Sequence, residues 1–597
     1  MKESAAADRK KVIYQVFTRL FGNTNTTNKP WGTIDENGVG KFSHFTDKAL
    51  LEIKNLGVTH IWFTGVPHHA LINDYTKYGI SNDHPAVVKG RAGSPYAVKD
   101  YYNVNPDLAD NPANRLEEFR QLIERTHKAG LKVIIDIVPN HIARRYEGKT
   151  NPKGVEDFGA SDDTTLTYHR DNNFYYNPGE KFFLPEWLHG YLPLGGEKHP
   201  MLETEFVEYP AKWTGNGSRQ SQPHFYDWYE TAKLNYGVTP DGVKEFDELP
   251  NEYWQKDYRE HYAFWQEKSI PNTWKKFRDI ALYWTAMGVD GFRYDMAEMV
   301  PVEFWSYMNS SIKMKNPSAL LLGEVYDPAQ YRAFIYLGKM DYLYDKVELY
   351  DTLKGIIQGH GTTDSISGIL HGLSDIEHQM LHFLENHDEQ RIASPDFAGS
   401  AILGKPAMVL SATISTSPTM VYFGQEVGEP AVENAGFGSA TRTSIFDYIG
   451  VPHHQRWMNQ GKFDGGESTP DEKELRDFYQ RLLNITINSS ALMGRYQEIH
   501  GHNRYCTPYY NDHVYSFVRY SDTEKLVIVT NFHPTDTFGF ELGIPSDIIA
   551  AWGLNKSEYK LTDQLYGKTS ALLHINNGTG NARVDIKPTE SFIFKVE

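Results

Sequence analysis

Gly291-Phe292-Arg293-Tyr294-Asp295-Met296-Ala297-Glu298-Met299 is the stretch from which the rest of the chain can be read. It follows an amphipathic run, Trp274 to Met287, closed by Gly288, which predicts a helix, a glycine stop and then a short buried strand. Residues two apart on a strand share a face, so Arg293 and Asp295 project together at the strand's carboxyl end. A guanidinium fixed beside a carboxylate keeps that carboxylate charged, the state a carboxylate nucleophile needs at neutral pH. Taken alone, Arg293 and Asp295 read more simply as an ion pair at a strand end.

Three further stretches change that reading. Asp136-Ile137-Val138-Pro139-Asn140-His141, Gly323-Glu324-Val325 and Glu385-Asn386-His387-Asp388 follow or finish short apolar runs, Val133 to Val138, Leu320 to Gly323 and Met380 to Leu384. Four strand ends therefore deliver carboxylates and histidines toward one site. With these motifs in this order, the chain resembles the α-amylase family of glycoside hydrolases, a retaining clan active on α-glucans. The resemblance runs from Val12 to the C-terminus.

Composition narrows the partners. The 597 residues suffice for three or four domains, by a prior of about 100–200 residues per domain. With 77 acidic against 60 basic residues the formal net charge is −17, so nucleic acid and anionic membrane are poor partners. Aromatic residues make up 14% of the chain, which supplies flat platforms for sugar faces as well as core filling. Cys506 is the sole cysteine, which excludes an intrachain disulfide and any cysteine-ligated metal cluster. No apolar run is long enough to span a membrane, and the polar opening Met1 to Lys11 has no apolar segment of the kind a signal peptide needs. The compartment is left open.

In chain order, Val12 to Phe17 reads as a strand and leads into a loop containing Asp35-Glu36-Asn37-Gly38-Val39-Gly40. That loop looks like the calcium loop of some family members, but Lys41 stands where those loops place a final Asp, so a plain turn is expected. A helix (Lys48 to Leu56), a strand (Thr59 to Phe63), a helix (Arg115 to Ala129) and a strand (Leu131 to Val138) follow. The alternation then stops until Pro271. Residues 142–270, rich in aromatics, are expected to form an inserted subdomain with its own core, matching the family's domain B. Near its end, Ala232-Lys233-Leu234-Asn235 resembles a signature of neopullulanase-like members. Strands at Gly291 to Asp295, Ala319 to Gly323, Asp341 to Asp345, Met380 to Asn386 and Met420 to Gly424 then alternate with helices. The eight strands predict a (β/α)8 TIM barrel over residues 12–141 and 271–495, with its site at the carboxyl face. Residues 496–597 read as an all-β module, an antiparallel sandwich with strands at His513 to Arg519, Lys525 to Asn531, Phe538 to Leu542 and Ser591 to Val596. His68-His69 and His453-His454 match no motif and read as loop residues.

Retaining glycosidases set two carboxyl groups about 5–5.5 Å apart, one charged to attack the anomeric carbon and one protonated to release the leaving oxygen. Asp295 beside Arg293 suits the first role. Glu324 suits the second, because an apolar strand end and neighbouring carboxylates favour a protonated acid. By resemblance, Asp388 is the third carboxylate, which grips sugar hydroxyls. His141 and His387 match the family's hydroxyl-binding histidines, Arg293 belongs to its substrate-binding set, and Tyr96 is its aromatic at the cleavage point, with Asp100 in support. No cofactor is required for this chemistry. Asn140 matches a calcium-liganding asparagine and Asp136 its supporting acid, so a structural calcium is carried by Asn140 with partner ligands the sequence does not identify. Glu298-Met299 departs from the Lys-His of many α-amylases, which puts a cationic sugar contact and a calcium-binding carbonyl in doubt.

The implied function is hydrolysis of α-1,4-glucosidic bonds in starch-derived glucans and maltooligosaccharides. An exo-acting α-glucosidase or a transglycosylase would share the same machinery. A non-catalytic amylase-like binding subunit is the reading from a different class; such proteins keep the barrel and lose the carboxylates, all of which are present here.

Overall fold

In the computed structural model, which describes residues 9–567 and 569–597, eight parallel strands close into a barrel. Residues 1–8 of the opening read above as lacking an apolar segment lie outside the described residues. The strands are β1 (Val12–Phe17), β2 (His60–Thr64), β3 (Lys132–Ile137), β4 (Gly291–Tyr294), β5 (Leu320–Gly323), β6 (Tyr342–Tyr344), β7 (Met380–Phe383) and β8 (Thr419–Tyr422). Each is buried along almost its whole length, as strands covered on both faces must be. Two of them, β7 and β8, end three and two residues before the sequence suggests. In β7 the cause is visible: the Asn386 side chain accepts the N–H groups of Asp388 (2.8 Å) and Glu389 (2.9 Å), which turns the chain out of the ladder.

The helix before β4 shows how the site is aimed. Asn272–Met287 buries Trp274, Phe277, Ile280, Ala281 and Trp284 along one stripe, and the indole N–H groups of Trp274 and Trp284 find the carbonyls of Tyr236 (3.0 Å) and Tyr101 (2.9 Å). Gly288 ends it at φ 109°, a conformation that favours glycine. A Cβ on Gly291 would lie 2.4 Å from the Leu320 carbonyl oxygen, so only glycine lets β4 start this close to β5. The register then sets Arg293 opposite Asp136 on β3 and Leu322 on β5.

The segment between β3 and that helix is tied down by short ribbons. His141–Ala143 pairs antiparallel with Thr231–Lys233, and Tyr176–Asn177 with Ala211–Lys212. Its apolar residues do not form one separate core. Phe174, Tyr176, Ala232, Leu234 and Tyr236 join the barrel's cluster, while Phe182, Ala211 and Tyr229 form a small satellite with Val87. A polar hub does the rest: the buried Arg144 guanidinium grips Glu208 through two nitrogens (2.8 and 3.1 Å) and donates to the carbonyls of Tyr229, Thr231 and Lys212.

Residues beyond the barrel form an eight-stranded antiparallel sheet. Its strands are β9 (Arg495–Glu498), β10 (Val514–Tyr520), β11 (Lys525–Asn531), β12 (Phe538–Ile544), β13 (Glu558–Asp563), β14 (Ser570–Asn576), β15 (Thr579–Ile586) and β16 (Ser591–Val596). The order is β9-β10-β11-β16-β13-β14-β15-β12, and residues from both halves, such as Val527 and Phe540, share one core.

Two expectations are corrected here. Asp35-Glu36-Asn37 lies in a short helix, Ile34–Asn37, because Thr33 and Glu36 form a capping box; Lys41 beyond it donates to the carbonyls of Asp107 (2.7 Å) and Ala109 (3.0 Å). The paired histidines are not loop residues. His68 and His69 are buried in a strand, Pro67–His69, and His453 and His454 sit in the helix Pro452–Met458, where His454 bonds the Phe21 carbonyl at 2.7 Å.

Candidate active site

At the carboxyl ends of β3, β4, β5 and β7, one guanidinium organises the carboxylates. Arg293 is fully buried and reaches Asp295 at 3.0 Å and Asp136 at 3.3 Å through Nη1, and Glu324 at 2.8 Å through Nη2. Its Nε donates to the Tyr344 hydroxyl at 3.2 Å. Three carboxylates thus surround one cation. Burial and the charge of Glu324 push the Asp295 carboxyl well above the usual carboxylate range, with Arg293 pulling the other way. Burial also pushes Asp136 up to about 6, against Arg293 and an indole N–H from Trp62 at 2.8 Å. The expectation that the Arg293 guanidinium holds Asp295 in its ordinary charged range is thus corrected: burial and the neighbouring charge of Glu324 outweigh the guanidinium.

Glu324 is held on both oxygens. The Met296 backbone N–H donates to Oε2 at 2.8 Å and the Tyr326 hydroxyl to Oε1 at 2.6 Å. Asp388 is the most open of the three: its side chain is 38% exposed, against 10% for Asp295 and 4% for Glu324. All three line a cavity of about 380 Å³, together with Tyr96, His141 and Tyr326.

His387 lies just behind that cavity. Gln15 Nε2 meets its Nδ1 at 2.8 Å, and its Nε2 contacts Asp388 Oδ2 at 3.2 Å and the Tyr96 hydroxyl. With Gln15 donating to Nδ1, the other nitrogen carries the proton and faces Asp388. Burial, with Arg293 nearby, pushes the ring's pKa well down, so His387 is a neutral donor. Tyr96 stacks on it with ring centroids 5.4 Å apart while one face lines the cavity. His141, pushed down to about 3 by burial, is also neutral and packs against Trp228. Asp100 stands apart: it accepts the N–H groups of Tyr102, in its own strand Val98–Val104, and of Lys149, both at 2.9 Å, and so ties that strand to the loop at Lys149 without touching the carboxylate set.

Asn140 does not fit a metal. Calcium takes about 6–8 oxygen ligands, but the Asn140 side-chain oxygen is engaged by the Lys233 ammonium, and its nitrogen donates to the Gly215 carbonyl at 2.9 Å. Among the described residues no group of three or more His, Cys, Asp or Glu side chains could hold an ion. Lys233, pushed down to about 8 by burial, brings a positive charge to the place where the resemblance puts the cation.

Gln15, Tyr326 and Met296 were not singled out from sequence. Tyr326 follows Glu324 by two residues, which is a strand-end signal of the same kind that marked Asp295. Gln15 lies mid-strand in β1 and carries no such signal.

Residues 15–481 match the family description "Alpha amylase, catalytic domain", and residues 509–597 match "Alpha amylase, C-terminal all-beta domain". Similar proteins include Alpha-amylase 3 of Dictyoglomus thermophilum, 22% identical over 555 residues that cover 89% of this chain and 86% of that protein. A cyclomaltodextrinase of Thermoanaerobacter pseudethanolicus is 21% identical over 532 residues, 87% of this chain and 70% of that one. Among solved structures, an α-amylase from Geobacillus thermoleovorans complexed with acarbose aligns over 98% of each chain with a TM-score of 0.59 at 18% identity, a likeness of fold.

Proposed function

The chain belongs to the alpha-amylase family of glycoside hydrolases, and we propose that within it the protein is a retaining enzyme that cleaves α-1,4-glucosidic bonds in starch-derived glucans and maltooligosaccharides. The observation that carries the reading is the bridging of Asp295 and Glu324 by Arg293, with Asp388 open to the same cavity. Two carboxyl groups on neighbouring nitrogens of one guanidinium suit the about 5–5.5 Å spacing of double displacement better than the about 6.5–9.5 Å that leaves room for a water. In this reading a charged Asp295 oxygen attacks the anomeric carbon while Glu324 gives its proton to the leaving oxygen. Water then attacks the glycosyl-enzyme, and Glu324 takes a proton back. Asp388, with neutral His387 donating toward it, and His141 receive the hydroxyls of the ring under attack.

Similarity to a cyclomaltodextrinase and to Neopullulanase 2 of Thermoactinomyces vulgaris supports short or cyclic glucans as substrates. One observation favours a second reading. A further cavity of about 400 Å³ is lined by Lys233, Glu298 and Gln330 among others, with Lys233 and Glu298 each two residues along the chain from Thr231 and Met296 of the first, and is roomy enough for an acceptor sugar in place of water. NMR of the first-formed product from maltoheptaose tests the main reading: the α-anomer is expected, and an initial β-anomer would sink it. Longer oligosaccharides accumulating at high maltotriose would establish transglycosylation beside hydrolysis.

A further inference from the structure

Met296, directly after Asp295, sits at φ 45° and ψ 43°, a left-handed conformation that a residue with a side chain adopts only where its surroundings hold it. What holds it is a set of bonds running both ways between the residues after Asp295 and the residues after Glu324. Met296 donates its N–H to Glu324 Oε2 (2.8 Å), and Ala297 donates its own to the Glu324 carbonyl (3.0 Å). In return, one oxygen of Glu298, Oε2, accepts the N–H groups of Tyr326 (2.8 Å) and Asp327 (2.9 Å). Tyr326 is the residue whose hydroxyl donates to Glu324 Oε1 at 2.6 Å.

We propose that Glu298 is a positioning residue for the acid Glu324: by fixing the backbone of Tyr326 it fixes the hydroxyl that holds one Glu324 oxygen, while the Met296 N–H holds the other. The proposal rests on the reading of Glu324 as the acid. Both N–H groups need an acceptor, which glutamate supplies and a lysine at this point cannot. A general acid acts only within hydrogen-bond reach of the leaving oxygen, and a misplacement of about 1 Å can cost on the order of 100-fold in rate.

The test separates positioning from general damage by changing the leaving group. Fluoride departs without needing a proton, whereas a sugar oxygen needs one. Glu298→Ala is expected to lose about 10- to 100-fold in kcat/KM on maltoheptaose while staying within about threefold on α-maltosyl fluoride. Glu298→Gln, whose amide oxygen still accepts both N–H groups, should keep most of both activities. Glu324→Gln is the control, with a larger loss confined in the same way to the sugar leaving group. Equal losses of Glu298→Ala on the two substrates, beside a leaving-group-dependent Glu324→Gln, would overturn the positioning role and leave the acid in place. A Glu324→Gln variant equally impaired on both would overturn the acid reading and the proposal with it. If Glu298→Ala does not fold, Tyr326→Phe must show the same split, and an even loss there also counts against the proposal.

Discussion

Two of the buried arginines that hold carboxylates, Arg144 and Arg293, have surroundings that differ in sign. Arg144 meets one carboxylate, Glu208, and three carbonyl oxygens, with its guanidinium 3.7 Å above the Phe182 ring. Burial pushes Glu208 up, but Arg144 and Lys212 more than offset it and bring its pKa below the ordinary value. Arg293 meets three carboxylates, and Asp295 stays well above its ordinary range. The first site sets Arg144 and Lys212 against one carboxylate, so its negative charge is fully met, which is what an anchor for the inserted segment requires. The second carries more negative charge than its cation can neutralise. Surplus charge of that kind costs stability, so the contrast separates an ion pair whose charge is met from a carboxylate set whose charge is not, the kind of surroundings in which the proposed chemical role of Asp295 is expected.

The contrast can be broken at either end. Asp295→Asn is expected to lower hydrolysis by more than about 1,000-fold, over about 4 kcal/mol of barrier, without lowering Tm at pH 7. A loss under tenfold, or a clear fall in Tm, would put Asp295 in the structural class. Arg144→Met leaves Glu208 buried without its partner, and the cost expected is about 3–5 kcal/mol of stability in urea unfolding. A cost below about 1 kcal/mol would mean that the hub does not anchor the segment.

Lys233 sharpens the comparison, since it puts a protein cation where a metal was expected. Lys233→Met strands the Asn140 oxygen and is expected to cost about 1–3 kcal/mol, while EDTA leaves Tm and activity unchanged. A chelator-sensitive Tm would contradict the assignment.

The pH dependences are the finest test. Asp295 has a folded pKa above its unfolded one, so the folded state holds the extra proton and stability falls as pH rises from about 4 through the folded value, at up to about 1.4 kcal/mol per unit. Any stability gain of Asp295→Asn over the parent should therefore vanish toward pH 4. Glu208, with its pKa lowered, contributes stability above about pH 4 that is lost as pH falls further, so the deficit of Glu208→Gln should shrink only in acid. Gaps that do not vary with pH would remove the electrostatic account.

The barrel was legible because its signals are local. Buried strands such as Leu320–Gly323 are continuous apolar runs, and at β4 and β5 the residue that follows the strand, Asp295 or Glu324, lines the cavity. In the C-terminal sheet, β10, β11, β12 and β16 could be read, whereas β9, β13, β14 and β15 could not. Thr579–Ile586 shows why: every second residue is exposed, and its buried positions include Gly580 and Ala582, too small to mark a strand. In the site, Asp295, Glu324 and Asp388 could be named from their motifs. The Lys233 contact to Asn140 spans 93 residues, and the Gln15 contact to His387 spans 372, so no local pattern encodes either. Glu298 stood out as a departure from the family pattern, but its two N–H partners exist only once β4 and β5 pair.

The central claim is that the over-charged site around Arg293 forms a covalent bond to sugar through Asp295. Trapping with 5-fluoro-α-glucosyl fluoride, followed by peptide mass spectrometry, tests it most directly. The expected result is one glucosyl adduct on the peptide carrying Asp295, absent in Asp295→Asn. An adduct on Glu324 or Asp388, or steady turnover of the reagent with no adduct at all, would contradict the account.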